Sequence, residues 1–183
     1  MKNTYFLWKT IMLGNGLKTA HDFYIKIMLQ RYGSVRKGAH EIIQDPTFTI
    51  SEEEKNIFLI KISVEALGFD RETPYQLIKE RALTKGFELC PAEVGPQLRI
   101  QYASEQPKNE YLFIGMEEIP WGGLKLIFSV EHDLPTRTSL NWRTALCTRE
   151  GGNYKFGLQS MFVFVLPKDK VHADSIFSSL NSL

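Results

Sequence analysis

Cys90, His132 and Glu117 have the side-chain types of a cysteine-dependent hydrolase or transferase. A thiol would attack, an imidazole would take its proton, and a carboxylate, Glu117 or its neighbour Glu118, would orient the base. The surroundings of Cys90 argue against this. It follows the expected end of a helix, where the partial negative charge of the last carbonyls disfavours a thiolate, and Glu88 and Glu93 are close in sequence. A thiol packed as a small apolar side chain is expected instead. His132, alone near a strand end, reads as a hydrogen-bonded surface residue.

Other chemistry has weaker marks. His21, His40, His132 and His172 with Cys90 and Cys147 show no C-x-x-C, H-x-x-x-H or H-E-x-x-H spacing, so neither a metal site nor a cofactor is expected. Leu13-Gly-Asn-Gly-Leu-Lys-Thr19 ahead of a helix is similar to a phosphate-binding loop, since glycines let backbone N–H groups approach an anion. It lacks both the G-x-x-x-x-G-K-[ST] and the G-x-G-x-x-G spacing, and a tight turn is expected. Glu117, Glu118 and Glu131 form a candidate acid–base or Mg²⁺ group. Adjacent strand residues point to opposite faces, so at most one of Glu117 and Glu118 should face a given site.

The densest polar chemistry lies in Glu88-Leu-Cys-Pro-Ala-Glu-Val-Gly-Pro-Gln-Leu-Arg-Ile-Gln-Tyr102. Pro91, Gly95 and Pro96 predict an ordered, non-repetitive connector leading into a strand over 98–102. Glu93, Gln97, Arg99, Gln101 and Tyr102 are its candidate binding residues, with Arg99 suited to an anion or to cross-strand pairing with Glu117 or Glu118. The stretch ELCPAEVGPQLRIQY resembles a motif of a family of small bacterial proteins. The likeness extends over LGNGLKTAHDF, VEALGF, YLFIGMEEI and FVFV, most of residues 10–166. That family has no assigned activity, fold or ligand, so the resemblance implies a bacterial-type origin and transfers no catalytic residue.

Charge is unevenly placed. The net charge is +1, yet residues 1–40 hold seven Lys or Arg against the lone acid Asp22. Such a block attracts phosphate or an acidic partner, or serves as a solvated face. Arg31, Arg36 and Lys37, with Tyr5, Phe6, Trp8, Tyr24 and Tyr32 as stacking rings, mark a nucleic-acid alternative. The near-neutral total and the absence of an RNP-like or zinc-finger motif speak against it. Two cysteines in 183 residues fit a reduced, cytoplasmic protein, and no apolar run approaches the roughly 18 residues of a membrane span.

The elements that must position these groups divide by type. Thr19-Ala-His-Asp22 is a capping box opening a helix over 20–30, and Ser34 caps a second that Asp45-Pro46 stops. Ser51-Glu-Glu-Glu54 predicts a helix over 52–67 closed by Gly68-Phe69, although Phe58, Ile60, Ile62 and Val64 alternate as in a strand. Thr73 and Pro74 open a further helix that Gly86-Phe87 ends. The N-terminal stretch MKNTYFLWKTIMLGNG reads as a strand, and after Pro91 come strands over 98–102, 110–119, 124–131, 140–146 and 160–166. The prediction is one α+β domain over 1–183. Helices fill 1–90, a mainly antiparallel meander of about five strands fills 91–167, and a polar, flexible tail covers 168–183. The expected role is a non-enzymatic binding or regulatory module that contacts another macromolecule, foremost a protein, with no membrane involved.

Overall fold

The conflict over 52–67 resolves in favour of alternation. In the computed structural model, which describes residues 5–30, 33–133, 143–151 and 154–170, Lys55–Ser63 is a β-strand. It has partner strands on both sides, so its nearly continuous run of Ile57, Phe58, Leu59, Ile60 and Ile62 supplies apolar groups to two covered faces. Gly68 and Phe69 do make the expected closing bonds, at 2.8 Å to the Glu65 carbonyl and 3.4 Å to that of Val64, but they end a turn after a strand.

In chain order the elements are β1 (Lys9–Leu13), α1 (Ala20–Met28), β2 (Gly33–Val35), α2 (Lys37–Ile43), β3 (Lys55–Ser63), β4 (Thr73–Pro74) and α3 (Tyr75–Thr84). There follow α4 (Val94–Tyr102), β5 (Tyr111–Ile114), β6 (Ile119–Trp121), β7 (Leu124–Asp133), β8 (Arg143–Glu150), β9 (Lys155–Phe156) and β10 (Met161–Val165). Strand β1 and the Thr19–Asp22 capping box of α1 are as expected. Arg36, not Ser34, flanks the start of α2, because Ser34 lies in β2. Pro74, not Thr73, is the N-cap of α3, because Thr73 pairs with Phe156. Helix α3 ends as predicted, with Gly86 at φ 80° and the Phe87 amide donating to the Ala82 carbonyl at 3.1 Å.

The largest departure is α4, which replaces the connector and the strand over 98–102. Pro91 opens a turn in which Val94 and Gly95 donate to the Pro91 and Ala92 carbonyls. Pro96 falls at the third helical position, where an intrahelical N–H bond is not required. Helices are therefore not confined to the first half. Arg31, Tyr32, Pro135, His172 and the tail beyond 170 lie outside the described residues.

The main sheet has the order β1-β3-β10-β5-β7-β8-β2, with β6 pairing the first residues of β7. It is mixed rather than a meander. Strand β10 enters between β3 and β5, antiparallel to the first and parallel to the second, and β2 runs parallel to β8.

Register assigns the faces. Phe113 lies beside Phe162 and Ser129, whereas Leu112 lies beside Met161 and Val130, so Phe162 and Phe128 point to opposite sides. On the Phe128 side, Phe48 meets both Phe128 and Phe23 of α1 edge-on, and α4 comes so close that a Cβ on Gly95 would lie 2.6 Å from the Phe128 ring. On the other side Tyr75 of α3 stacks on Phe162 at 5.7 Å, and Phe87 stacks on Phe164.

Two measurements test this account. A Cβ on Gly115 would lie 2.1 Å from the Phe164 ring, so Gly115→Ala should lower stability by about 1–3 kcal/mol through overpacking. Gly157→Ala, with open space around the position, should shift the urea midpoint by less than ~0.5 kcal/mol equivalent. Equal midpoints for the two variants would contradict the packing. In the α1 capping box, bonds from the Lys18 amide and the Thr19 hydroxyl and amide hold the Asp22 carboxyl below the ordinary aspartate value. A depressed folded pKa means stabilisation present above the unfolded value and lost as pH falls through the folded one. Acidification should therefore reduce hydrogen-exchange protection in the first turn of α1, and Asp22→Asn should abolish that response.

Candidate functional site

Because 93–101 is helical, Glu93, Gln97 and Gln101 are spaced four apart and lie on one face. That face meets the end of β1 and the loop after it. The Glu93 carboxylate is fully buried and accepts the Ser51 amide at 2.7 Å, the Gly14 amide at 3.1 Å and the Gln97 side-chain N–H at 3.1 Å. Gln97 exchanges two amide bonds with Asn15, at 2.8 and 2.9 Å, and accepts from Gln101 at 2.9 Å. Gln101 then accepts the Met12 amide at 2.9 Å and donates to the Met12 carbonyl at 2.7 Å. Strand β1 ends the sheet, so the side-chain amide of Gln101 takes the place of a neighbouring strand.

The glycine loop is filled from within. Gly14 has φ 67°, and a Cβ there would lie 2.1 Å from the Glu53 carbonyl oxygen, so only glycine fits. Its amide is taken by Glu93, and the amides of Lys18 and Thr19 both bind Asp22 at 2.9 Å. Three of the loop's amide donors are thus held by two carboxylates of the same chain. A cavity of about 380 Å³ beside them is lined by Gly14, Gly16, Leu17, Lys18, Ile50, Ser51 and Glu52.

Arg99 is also fully buried. Its Nη1 donates to Gln106 Oε1 and, at 3.5 Å, to the Glu131 carbonyl, while Gln106 donates to the Val130 and Glu110 carbonyls. The Nδ1–H of His132 donates to the Gln106 carbonyl at 2.7 Å. Tyr102 packs edge-on against Trp8, and burial, followed by the nearby Glu110, pushes its phenol pKa well up. Lys61 pairs with Glu110 at 2.8 Å and lies over the Trp8 ring.

Among the described residues the bonds of Cys90 lead to no base. Burial pushes its thiol pKa far up, and its S–H donates to the Val163 carbonyl at 3.4 Å. Its amide binds Gly115, whereas His132 pairs with Glu110. Five residues of extended chain, roughly 16 Å at the usual strand rise, separate those two points. Glu117 is elsewhere again, bonded to Lys79 of α3 at 3.0 Å. Glu118 reaches the same ammonium at 3.6 Å. The rule that adjacent strand residues diverge does not apply, because 115–118 is a break between β5 and β6. Lys79 occupies the place between the carboxylates that a metal would take. Among the described residues no group of three His, Cys, Asp or Glu is placed to hold a metal ion.

Arg36 and Lys37 are exposed at the start of α2, with Lys37 3.9 Å from Glu41. Sequence reasoning missed Asn15, Ser51, Lys79 and Gln106. Only the spacing of 93, 97 and 101 could have pointed to a shared surface, and only once the segment was read as a helix.

Comparison with protein-family models, with curated proteins and with solved structures gives no match. No helix among the described residues is long and apolar enough to cross a membrane.

Three outcomes follow. Glu93→Ala strands the Gly14 and Ser51 amides in the interior and should cost about 3 kcal/mol in a denaturant titration. Gln101→Ala should cost about 1 kcal/mol and, by opening the β1 edge, produce concentration-dependent association in light scattering. Native Cys90 should resist iodoacetamide at neutral pH and react only on unfolding; rapid native alkylation would refute its assignment as a packing residue.

Proposed function

We propose that this chain is a non-enzymatic binding module that contacts another protein in the cytoplasm of a bacterial-type cell. One observation carries the reading, an inversion of ordinary burial. Glu93, Gln97 and Arg99 are fully buried, while Leu29 is 78% and Phe6 71% exposed. Side chains able to do chemistry are committed to holding the fold, and large apolar groups are left outside it.

The reading moves the contact surface. Glu93, Gln97, Arg99 and Tyr102 are buried and cannot meet a partner directly, and Gln101 is committed to Met12. The segment ELCPAEVGPQLRIQY is the core helix α4 with its entry turn, so likeness to other proteins through this motif supports a common fold more than a common ligand. Exposed apolar groups are available instead on α1, on α3 at Leu77, and at Trp121 and Leu124 beside the Gly122-Gly123 turn of the β6–β7 hairpin.

A photo-crosslinking residue placed in turn at Leu29, Leu77 and Trp121, with the full chain expressed in its producing cell, tests the proposal. At least one position should give a single reproducible adduct whose purified partner binds the unmodified chain. Absence of adducts at all three, or adducts to RNA removed by ribonuclease, would overturn it.

A further inference from the structure

We infer that the outer face of α1 docks an acidic, amphipathic segment of a protein partner, an inference that rests on the binding-module reading. Helix α1 buries Phe23 and Ile27 and turns the opposite stripe outward. Ile25, Met28 and Leu29 on that stripe are 40, 44 and 78% exposed. Their three- and four-residue spacings make them neighbours on the helix surface. Together they expose an apolar area on the order of 300 Å², the scale at which a patch on a small protein is commonly functional.

Charge selects the occupant. Lys26 flanks the stripe on one side and His21 lies in its first turn, both exposed, while exposed Lys18 continues it ahead of the helix at the rim of the cavity that Glu52 also lines. On the other flank, the Tyr24–His40 ring contact at 5.0 Å sets α2 alongside, with exposed Lys37 one turn before His40. The acid of the stripe, Asp22, has its carboxylate bound to the Lys18 and Thr19 amides and so offsets the positive end of its own helix. The Lys37–Glu41 contact is long, 3.9 Å, and the Glu41 carboxylate is partly buried, so the exposed Lys37 ammonium is the charge this pair presents outward. An apolar strip bordered by ammonium groups complements a helix with leucine-like residues on one side and carboxylates at the margins.

The same charge argues against other occupants. A second copy docked isologously through this face would bring the Lys18 and Lys26 ammonium groups of both copies into one interface. An anionic membrane satisfies the charge, but three aliphatic side chains on a helix of nine residues insert less apolar surface than stable anchoring needs.

The test uses the full chain and a synthetic amphipathic helical peptide with leucines on one face and glutamates at its borders, titrated by isothermal calorimetry and NMR. Binding should shift the amides of α1 and weaken several-fold when ionic strength is raised from ~0.05 to ~0.2 M. Met28→Glu and Leu29→Glu, both at exposed positions that leave the fold intact by circular dichroism, should each weaken it at least about tenfold. Leu77→Glu on α3 should leave it unchanged. The inference is overturned if the peptide does not bind, if its glutamate-to-lysine counterpart binds equally, or if phosphatidylserine vesicles bind and the peptide does not. A partner captured at Leu77 or Trp121 with none at Leu29 would overturn this assignment and leave the binding-module proposal standing. No adduct at any position would remove both.

Discussion

The buried carboxylate of Glu93 constrains more of the chain than any other group. A charge without solvent must be matched by donors or its burial is prohibitive. Here the donors are backbone amides from two segments distant in sequence, Gly14 after β1 and Ser51 before β3. Satisfying one oxygen pair fixes the exit of the first strand, the approach to the second strand of the sheet, and the first turn of α4. The ladder through Gln97 and Gln101 follows, because once Glu93 is placed the next two turns of the helix lie against Asn15 and Met12.

The same logic recurs at lower stakes. At three places another part of the chain takes the position a ligand or partner would hold: Glu93 and Asp22 on the glycine-loop amides, Lys79 between Glu117 and Glu118, Gln101 along the β1 edge. A tethered group competes at an effective concentration in the millimolar range or above, so a free ion must bind more tightly than the tethered group to take its place. Potential sites of chemistry become joints of the fold, and recognition is left to surfaces that make few internal bonds.

What could be read from the sequence was what is encoded locally. The Thr19–Asp22 box and the Gly86-Phe87 close depend on residues a few positions apart and are realised. The reading of 52–67 failed because Ser51-Glu-Glu-Glu54 is a true local signal overruled by the partners of β3 on both sides. The expectation for 88–102 fails because Pro96 has the local mark of a breaker, yet at the third position of α4 its missing N–H costs no intrahelical bond. Polarity marks Glu93, Gln97, Arg99, Gln101 and Tyr102 as candidate binding residues, but the inward direction of Glu93, Gln97 and Gln101 depends on Met12, Gly14 and Ser51, between 42 and 89 residues away. No local pattern marks such pairs, and none marks the parallel pairing of β10 with β5.

The position of β10 has a consequence for how the protein is made. Until residues 161–165 leave the ribosome, the sheet exists as two pieces, β1 with β3 and the group β5, β7, β8 and β2. Each piece carries an uncovered inner edge of unpaired amides and carbonyls. Almost a hundred residues separate the end of β3 from β10, which at ordinary rates of synthesis is roughly 5 to 20 s. During that interval the edge of β3 stands open, and once β5 has been made its edge stands open as well, each able to accept a foreign strand. The last strand of the sheet is the one that closes both, so commitment to the native topology comes late and in a single step.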